Sequence, residues 1–263
     1  MTDALQFFDF TSPAGPVKLA VQARRGKTPA IVWLGGFMSD MTSTKATALD
    51  DWAAGHGHAS VRFDYSGHGA SGGDFENGTI GTWLDESIAV IERFAGPRPV
   101  LVGSSMGGWI ALLATLRLKA ALSPHHPGGL VLIAPAVDFT EKLMWAQFPP
   151  AIRQQIETAG VWHRHSEYSE TPYPITRALI EDGRRHQLYG KPFHLGCPVH
   201  ILQGGQDPDV PQAHVLQLVE HLPQDPVTVT LIPDGNHRLS REEDIAKLVE
   251  ITAAMATQGA DRE

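Results

Sequence analysis

The chain has one cysteine, no long apolar run and no cluster of basic residues. A lone Cys197 excludes an intrachain disulfide and is compatible with a reducing compartment; ahead of Pro198 it reads as a small buried hydrophobe. No apolar stretch approaches the ~20 residues that cross a bilayer, so stable membrane insertion is not expected. With 21 Lys+Arg against 29 Asp+Glu the net charge is −8, and without a basic stripe the surface is not one for nucleic acid. The first ten residues lack a basic segment ahead of an apolar core, and lack an Arg-rich amphipathic leader, which predicts a mature, cytoplasmic protein. His56, His58, His125, His126, His163 and His165 form close pairs, yet no His-Glu-x-x-His helix or Cys partner accompanies them. A metal site is not expected of them.

What is present is an alternation of two patterns. Strand-like runs, most of them continuous rather than alternating, recur at Val17 to Val21, Ala30 to Leu34, Ala59 to Phe63, Val100 to Val102, Leu130 to Ile133, Val199 to Leu202 and Val227 to Ile232. Between them, Ser43 to Ala54, Ile80 to Phe94, Gly107 to Leu118, Gln212 to Leu222 and Arg241 to Ala254 carry helical spacing. Such strands, apolar on both faces, predict a mainly parallel sheet of about eight strands covered by helices on both sides, an α/β fold. A turn at Ser12 to Pro16 predicts an antiparallel pair at its start. From 138 to 195 the alternation lapses, and Trp145, Phe148, Ile152, Ile156, Trp162, Tyr168, Tyr173 and Ile175 spread over segments broken by prolines. That stretch reads as a helical cap inserted into a core of 1–137 and 196–263, with a plain peripheral subdomain as the alternative.

The most informative motif is Gly103-Ser104-Ser105-Met106-Gly107, placed between a strand-like run and a helical one. A nucleophile lifted on a sharp strand-to-helix turn needs nearly side-chain-free neighbours two residues away on each side, which the two glycines provide for Ser105. Ser104 and Ser66 lack that setting. A serine hydroxyl also needs a base, itself oriented by a carboxylate. Asp207 follows one predicted strand and His237 the next, in the chain order Ser, Asp, His expected on such a sheet. Asp207 is preferred to Asp209, Asp234 and Asp138 because it stands three residues ahead of Val210-Pro211, whereas the others read as turn or capping carboxylates. An oxyanion needs two backbone donors: Met106 N–H supplies one, and Phe37 N–H, after Gly35-Gly36, is chosen for the other. Gly36, Met38 and Trp162 are the candidate substrate-binding residues.

Gly35-Gly36-Phe37, the run Phe63 to Ser71, Gly103 to Trp109, Asp207 with Val210-Pro211, and Asp234 to Arg238 together resemble the α/β-hydrolase superfamily over nearly the whole chain. Thr44-Lys45-Ala46, Arg62 to Gly67, Val102 to Trp109, and Gly160-Val161-Trp162 with Tyr168-Ser169 are most similar to its palmitoyl-protein thioesterase and acyl-glucuronide esterase subgroup. The resemblance implies a cofactor-free Ser-His-Asp hydrolase acting on an acyl ester or thioester, either a small molecule or an acylated protein. Amide hydrolysis or lyase chemistry on the same framework is the alternative, and a binding protein with a vestigial site is a more distant one.

Overall fold

The computed structural model describes residues 4–12, 15–166 and 169–260. The strands in chain order are β1 (Gln6–Ser12), β2 (Gly15–Arg24), β3 (Lys27–Leu34), β4 (His58–Phe63), β5 (Val100–Ser104), β6 (Gly129–Ile133), β7 (Val161–Ser166), β8 (Ser169–Thr176), β9 (Val199–Gly204) and β10 (Val227–Ile232). Eight of them form one sheet in the order β1-β2-β4-β3-β5-β6-β9-β10. The contacts of β2 with β1 and β4 are antiparallel and the rest are parallel, as the apolar runs predicted.

Side chains that alternate along each central strand serve two different cores. Ile31, Trp33, Val100, Val102, Val131 and Ile133 face one layer, which includes helix α1 (Thr44–His56) and the last helix of the chain (Glu242–Ala260). Val32, Leu34, Leu101, Leu130 and Leu132 face the other, with α2 (Ile80–Val90) and α3 (Met106–Ala120). Residues buried on both faces need no polar alternation, which is why these strands read as continuous apolar runs. The predicted helix from Ile80 to Phe94 is α2 followed by a π-helical turn, Ile91–Ala95, which Gly96 ends at a φ of 69°.

The insertion between β6 and β9 is only partly helical, which corrects the expectation of a helical cap. It holds α4 (Pro150–Ala159) and α5 (Arg177–Gly183), and between them β7 and β8 pair as an antiparallel hairpin. The prolines explain the difference. Pro172 and Pro174 lack the N–H that a helix interior requires, but on a two-stranded ribbon a proline can turn that missing donor away from its partner. Tyr168, expected among the apolar residues here, lies outside the described residues, as do Pro13 and Ala14 of the first turn. A polar tie joins the insertion to the core, Gly81 N–H donating to Asp182 at 2.7 Å, and within the insertion the buried Asp138 carboxylate accepts Leu188 and Tyr189 N–H at 2.8 and 2.9 Å. The last two helices are α6 (Gln212–Glu220) and α7 (Glu242–Ala260).

Candidate active site

Ser105 stands between β5 and α3 with φ 53° and ψ −115°, a conformation costly for a residue with a Cβ. Its backbone is held on both sides: Ser105 N–H donates to Ile133 O at 2.8 Å, and Ser105 O accepts Gly108 and Ala136 N–H at 2.9 and 3.1 Å. The flanking glycines are required by space. A Cβ on Gly103 would fall within 3.0 Å of the Gly107 carbonyl, and one on Gly107 equally close to the Leu34 carbonyl. The turn is therefore fixed by β3 and β6 as much as by its own sequence.

The other two predicted residues come to the same point from the ends of β9 and β10. His237 Nε2 lies 3.1 Å from Ser105 Oγ, and His237 Nδ1 lies 2.8 Å from Asp207 Oδ2. The Asp207 side chain has no solvent exposure, whereas that of His237 retains 18%. Asp207 Oδ1 accepts the N–H of Asp209 at 2.9 Å and of Val210 at 2.8 Å, which leaves Oδ2 directed at the imidazole. With Nδ1–H donated to that carboxylate, the neutral ring presents its Nε2 lone pair to the Ser105 hydroxyl. Such a line can take a proton from the serine and return it to a leaving group.

The competing carboxylates have other tasks. Asp234 pairs with Arg241 at 2.6 Å, and the hydrogen bond from that guanidinium holds it below the ordinary carboxyl range. Asp138 ties the insertion, and burial raises its pKa. Ser66 is a backbone hub: its N–H donates to Glu86 Oε2 at 2.9 Å. Among the described residues, the group of side chains close enough to share an ion is Asp207, Asp209 and His237, so it is built around the same hydrogen-bonded line. The histidine pairs are spent elsewhere: His56 stacks on Trp52, His125 and His126 bond the carbonyls of Gly96 and Leu195, and His163 faces Glu76 at 3.7 Å.

Gly36 lies against the elbow, since a Cβ there would be 3.6 Å from Ser105 Cβ. This brings the Gly36–Phe37 peptide beside the serine, across from Met106 at the first turn of α3, where helix N–H groups lack intrahelical partners. The Phe37 ring turns away into an aromatic cluster, with Phe75, Trp83, Phe139 and Tyr173 at centroid distances of 4.9 to 6.2 Å. Met38 is the exposed member of this loop, at 37%. Trp162 packs edge-on against Phe148 at 5.2 Å, within the insertion.

Several residues around the site escaped the sequence reading. The loop after β3 is gripped by side chains from the end of β4 and the turn beyond it. Arg62 Nη1 donates to Met41 O at 3.0 Å, Asp64 Oδ1 accepts Met41 N–H at 2.7 Å, and Tyr65 OH donates to Gly35 O at 3.3 Å. His68 Nε2 accepts Met38 N–H at 3.3 Å. Lys45 Nζ, its pKa lowered to about 8 chiefly by burial, donates to the carbonyl of Arg238, next to His237. Buried Gln203 donates to Val210 O at 2.9 Å, beneath Asp207. The run Asp64-Tyr65-Ser66-Gly67-His68-Gly69 was visible as a turn; its reach across to another loop was not.

Among the described residues no helix is long and apolar enough to cross a membrane. The sequence model of the alpha/beta hydrolase family matches residues 31–251. A human protein named palmitoyl-protein thioesterase ABHD10, mitochondrial, is 34% identical over 232 residues, which cover 88% of this chain and 74% of that protein. A putative hydrolase from Agrobacterium vitis, known by its crystal structure, superposes with a TM-score of 0.91 at 47% identity, over 96% of this chain and 99% of that one. The mouse alpha/beta hydrolase domain-containing protein 10 superposes with a TM-score of 0.86 at 31% identity, covering 97% and 99%. The expected likeness to palmitoyl-protein thioesterases thus holds along most of the chain, and the protein belongs to the alpha/beta hydrolase family.

Proposed function

We propose that the protein is a serine hydrolase that cleaves carboxylic thioesters and esters through an acyl-enzyme. The observation that carries this is the unbroken line Asp207–His237–Ser105, at 2.8 and 3.1 Å, ending on a strained serine between two obligatory glycines. Ser105 Oγ attacks the acyl carbonyl as His237 Nε2 takes its proton, and Asp207 holds the ring and balances the charge it acquires. The tetrahedral oxyanion lies between the N–H groups of Phe37 and Met106. Its collapse breaks the bond to the leaving sulfur or oxygen, which receives the proton from His237. A water molecule, deprotonated by the same imidazole, then releases the acid and restores Ser105.

A long-chain S-acyl group is favoured as substrate, on an acylated protein or a small thiol, because relatives about one-third identical are named palmitoyl-protein thioesterases. Acyl glucuronides, as oxygen esters, suit the same chemistry. We read residues 138–195 as the cap over this site, supported by the contact of Tyr173 with Phe37. A single buried cysteine suits the cytoplasm, while the mammalian relatives carry a mitochondrial name; fractionation of the source cells decides.

Turnover of p-nitrophenyl esters, acyl thioesters and acyl anilides should fall by ~10³-fold or more in Ser105→Ala, and a fluorophosphonate probe should label only the native serine. Thioesters and esters should be cleaved in preference to anilides. Full activity in Ser105→Ala would overturn the assignment.

A further inference from the structure

The loop beside Ser105 contains a turn whose central residue is out of place. Ser39 N–H donates to Gly36 O at 3.1 Å, closing a four-residue turn with Phe37 and Met38 at its centre. Met38 has a φ of 58°. A left-handed third residue is the mark of a type II turn, where glycine is the usual occupant because a Cβ is unfavourable there. Nothing in Gly36-Phe37-Met38-Ser39 supplies that preference, so another part of the molecule must hold the Phe37–Met38 peptide in place.

His68 is built to do so. Its Nε2 receives the Met38 N–H at 3.3 Å, and its Nδ1–H donates to Ser66 O at 3.1 Å. Because a carbonyl can only accept, the proton of the neutral ring belongs on Nδ1 and the lone pair on Nε2. Ser66 O also accepts Trp83 Nε1–H at 3.2 Å, while the rings of Tyr65, Phe75 and Trp83 surround the imidazole at centroid distances of 4.9 to 5.5 Å. The side chain is buried, so its tautomer, rotamer and distance to the turn are fixed together. Burial also lowers its pKa to about 4, which keeps Nε2 an acceptor near neutral pH.

We propose that His68 is a positioning residue for the reaction: by accepting the Met38 N–H it holds the turn Gly36 to Ser39 in the conformation that presents the Phe37 N–H to the oxyanion. This rests on the reading of Ser105 as nucleophile and Phe37 as oxyanion donor. His68 touches neither substrate nor reacting atoms. Its influence passes through one peptide group, so its loss should appear in transition-state stabilisation more than in ground-state binding.

The test uses five variants of the full chain and a p-nitrophenyl ester. His68→Phe keeps the ring volume and removes the acceptor. It should lower kcat ~10-fold or more, less than the 10²- to 10³-fold typical for deletion of an oxyanion donor, with KM changed less than about threefold. His68→Gln, whose amide oxygen reaches the former Nε2 position, should recover most of that loss. Met38→Gly lets the turn adopt its conformation unaided, so His68→Phe added to Met38→Gly should cost less than about threefold relative to Met38→Gly alone. Such coupling is not expected of a residue that only fills the core. An unchanged kcat in His68→Phe, or an equal loss in both backgrounds, would overturn the proposal. Should His68→Phe fail to fold, the same comparison is made with His68→Leu, which also lacks an acceptor for the Met38 N–H, in the two backgrounds, where a loss of the same size in each overturns the proposal. Ser105→Ala in the same assay separates the two levels, since activity surviving there removes the underlying reading and not only the role of His68.

Discussion

The nucleophile turn and the insertion between β6 and β9 are held by different means. Around Ser105, backbone meets backbone: the Gly107 carbonyl lies against Gly103, the Leu34 carbonyl against Gly107, and the ends of β5 and β6 are joined through Ser105 itself. In the insertion, α4 buries a single residue, Ile156, and attachment to the core relies on side chains: Asp182 on Gly81, Tyr189 on the His214 carbonyl, Tyr173 on Phe37. Backbone packed so closely that an added Cβ would overlap it cannot be exchanged one residue at a time, whereas ring and hydrogen-bond contacts of side chains can. On the proposed reading, this separates a part that fixes the chemistry from a part that can be altered to choose the acyl group.

The sharpest break in that comparison is a methyl group placed in each region. Gly107→Ala drives a Cβ into the Leu34 carbonyl, and neither β3 nor α3 can retreat without moving the central sheet. We expect ~3 kcal/mol or more of destabilisation, read as a Tm lowered by several degrees or as loss of folded protein, together with loss of ester hydrolysis. Gly160→Ala, at the end of α4, meets nothing within 4 Å and bears only the cost of its φ of 83°. That cost is ~1–2 kcal/mol, with activity retained. Equal losses at both positions would erase the distinction.

The next effect separates chemistry from folding. Asp207→Asn keeps the side-chain shape, but an amide NH₂ placed toward His237 Nδ1 favours the tautomer with its proton on Nε2, where it cannot accept the Ser105 proton. A fall in kcat of ~10² to 10⁴-fold is expected, with KM within a few-fold. A milder effect is expected across the insertion: Tyr173→Ala removes one ring from the cluster around Phe37. It should change the ratio of kcat/KM for long and short acyl thioesters severalfold while lowering stability by ~1 kcal/mol. A uniform fall for every chain length would place Tyr173 with the chemistry instead.

The two regions also differ in how far they can be read from sequence. Ser105, Asp207 and His237 follow three strand-like runs of a sheet whose mostly continuous apolar runs announce parallel pairing, and loops at the carboxyl ends of such strands have to converge. The elbow adds its own steric signature. Local pattern carries no comparable information about the insertion: Trp162, Tyr173 and Ile175 suit a helix face or a hairpin, and the prolines that decide between them were legible as breaks but not as strand residues. His68 and Lys45 were beyond reach for another reason. Each acts on backbone from a different loop, Met38 N–H in one case and Arg238 O in the other, and that contact exists only once the sheet has brought the loops together.

The smallest expected effect opposes the two regions through pH. Glu86 is fully buried under the β4 turn; Oε2 accepts Ser66 N–H, Oε1 is without a partner, and burial pushes its pKa up to about 7. The folded state therefore binds a proton between its pKa and the ordinary value near 4.5 that the unfolded chain has lost, so stability declines as pH rises through this window and the full cost is reached above 7. Asp182, which anchors the insertion, is shifted the other way: burial pushes it up, but hydrogen bonds from His186 and from Gly81 N–H hold it below its ordinary value, so its contribution is lost as pH falls. Glu86→Gln keeps an acceptor for Ser66 N–H and removes the charge. The variant should match the native protein in urea unfolding at pH 4.5 and exceed it by ~1 kcal/mol at pH 8. A difference that does not vary between those two pH values would show that the buried acid under the core loop is not the group that sets this slope.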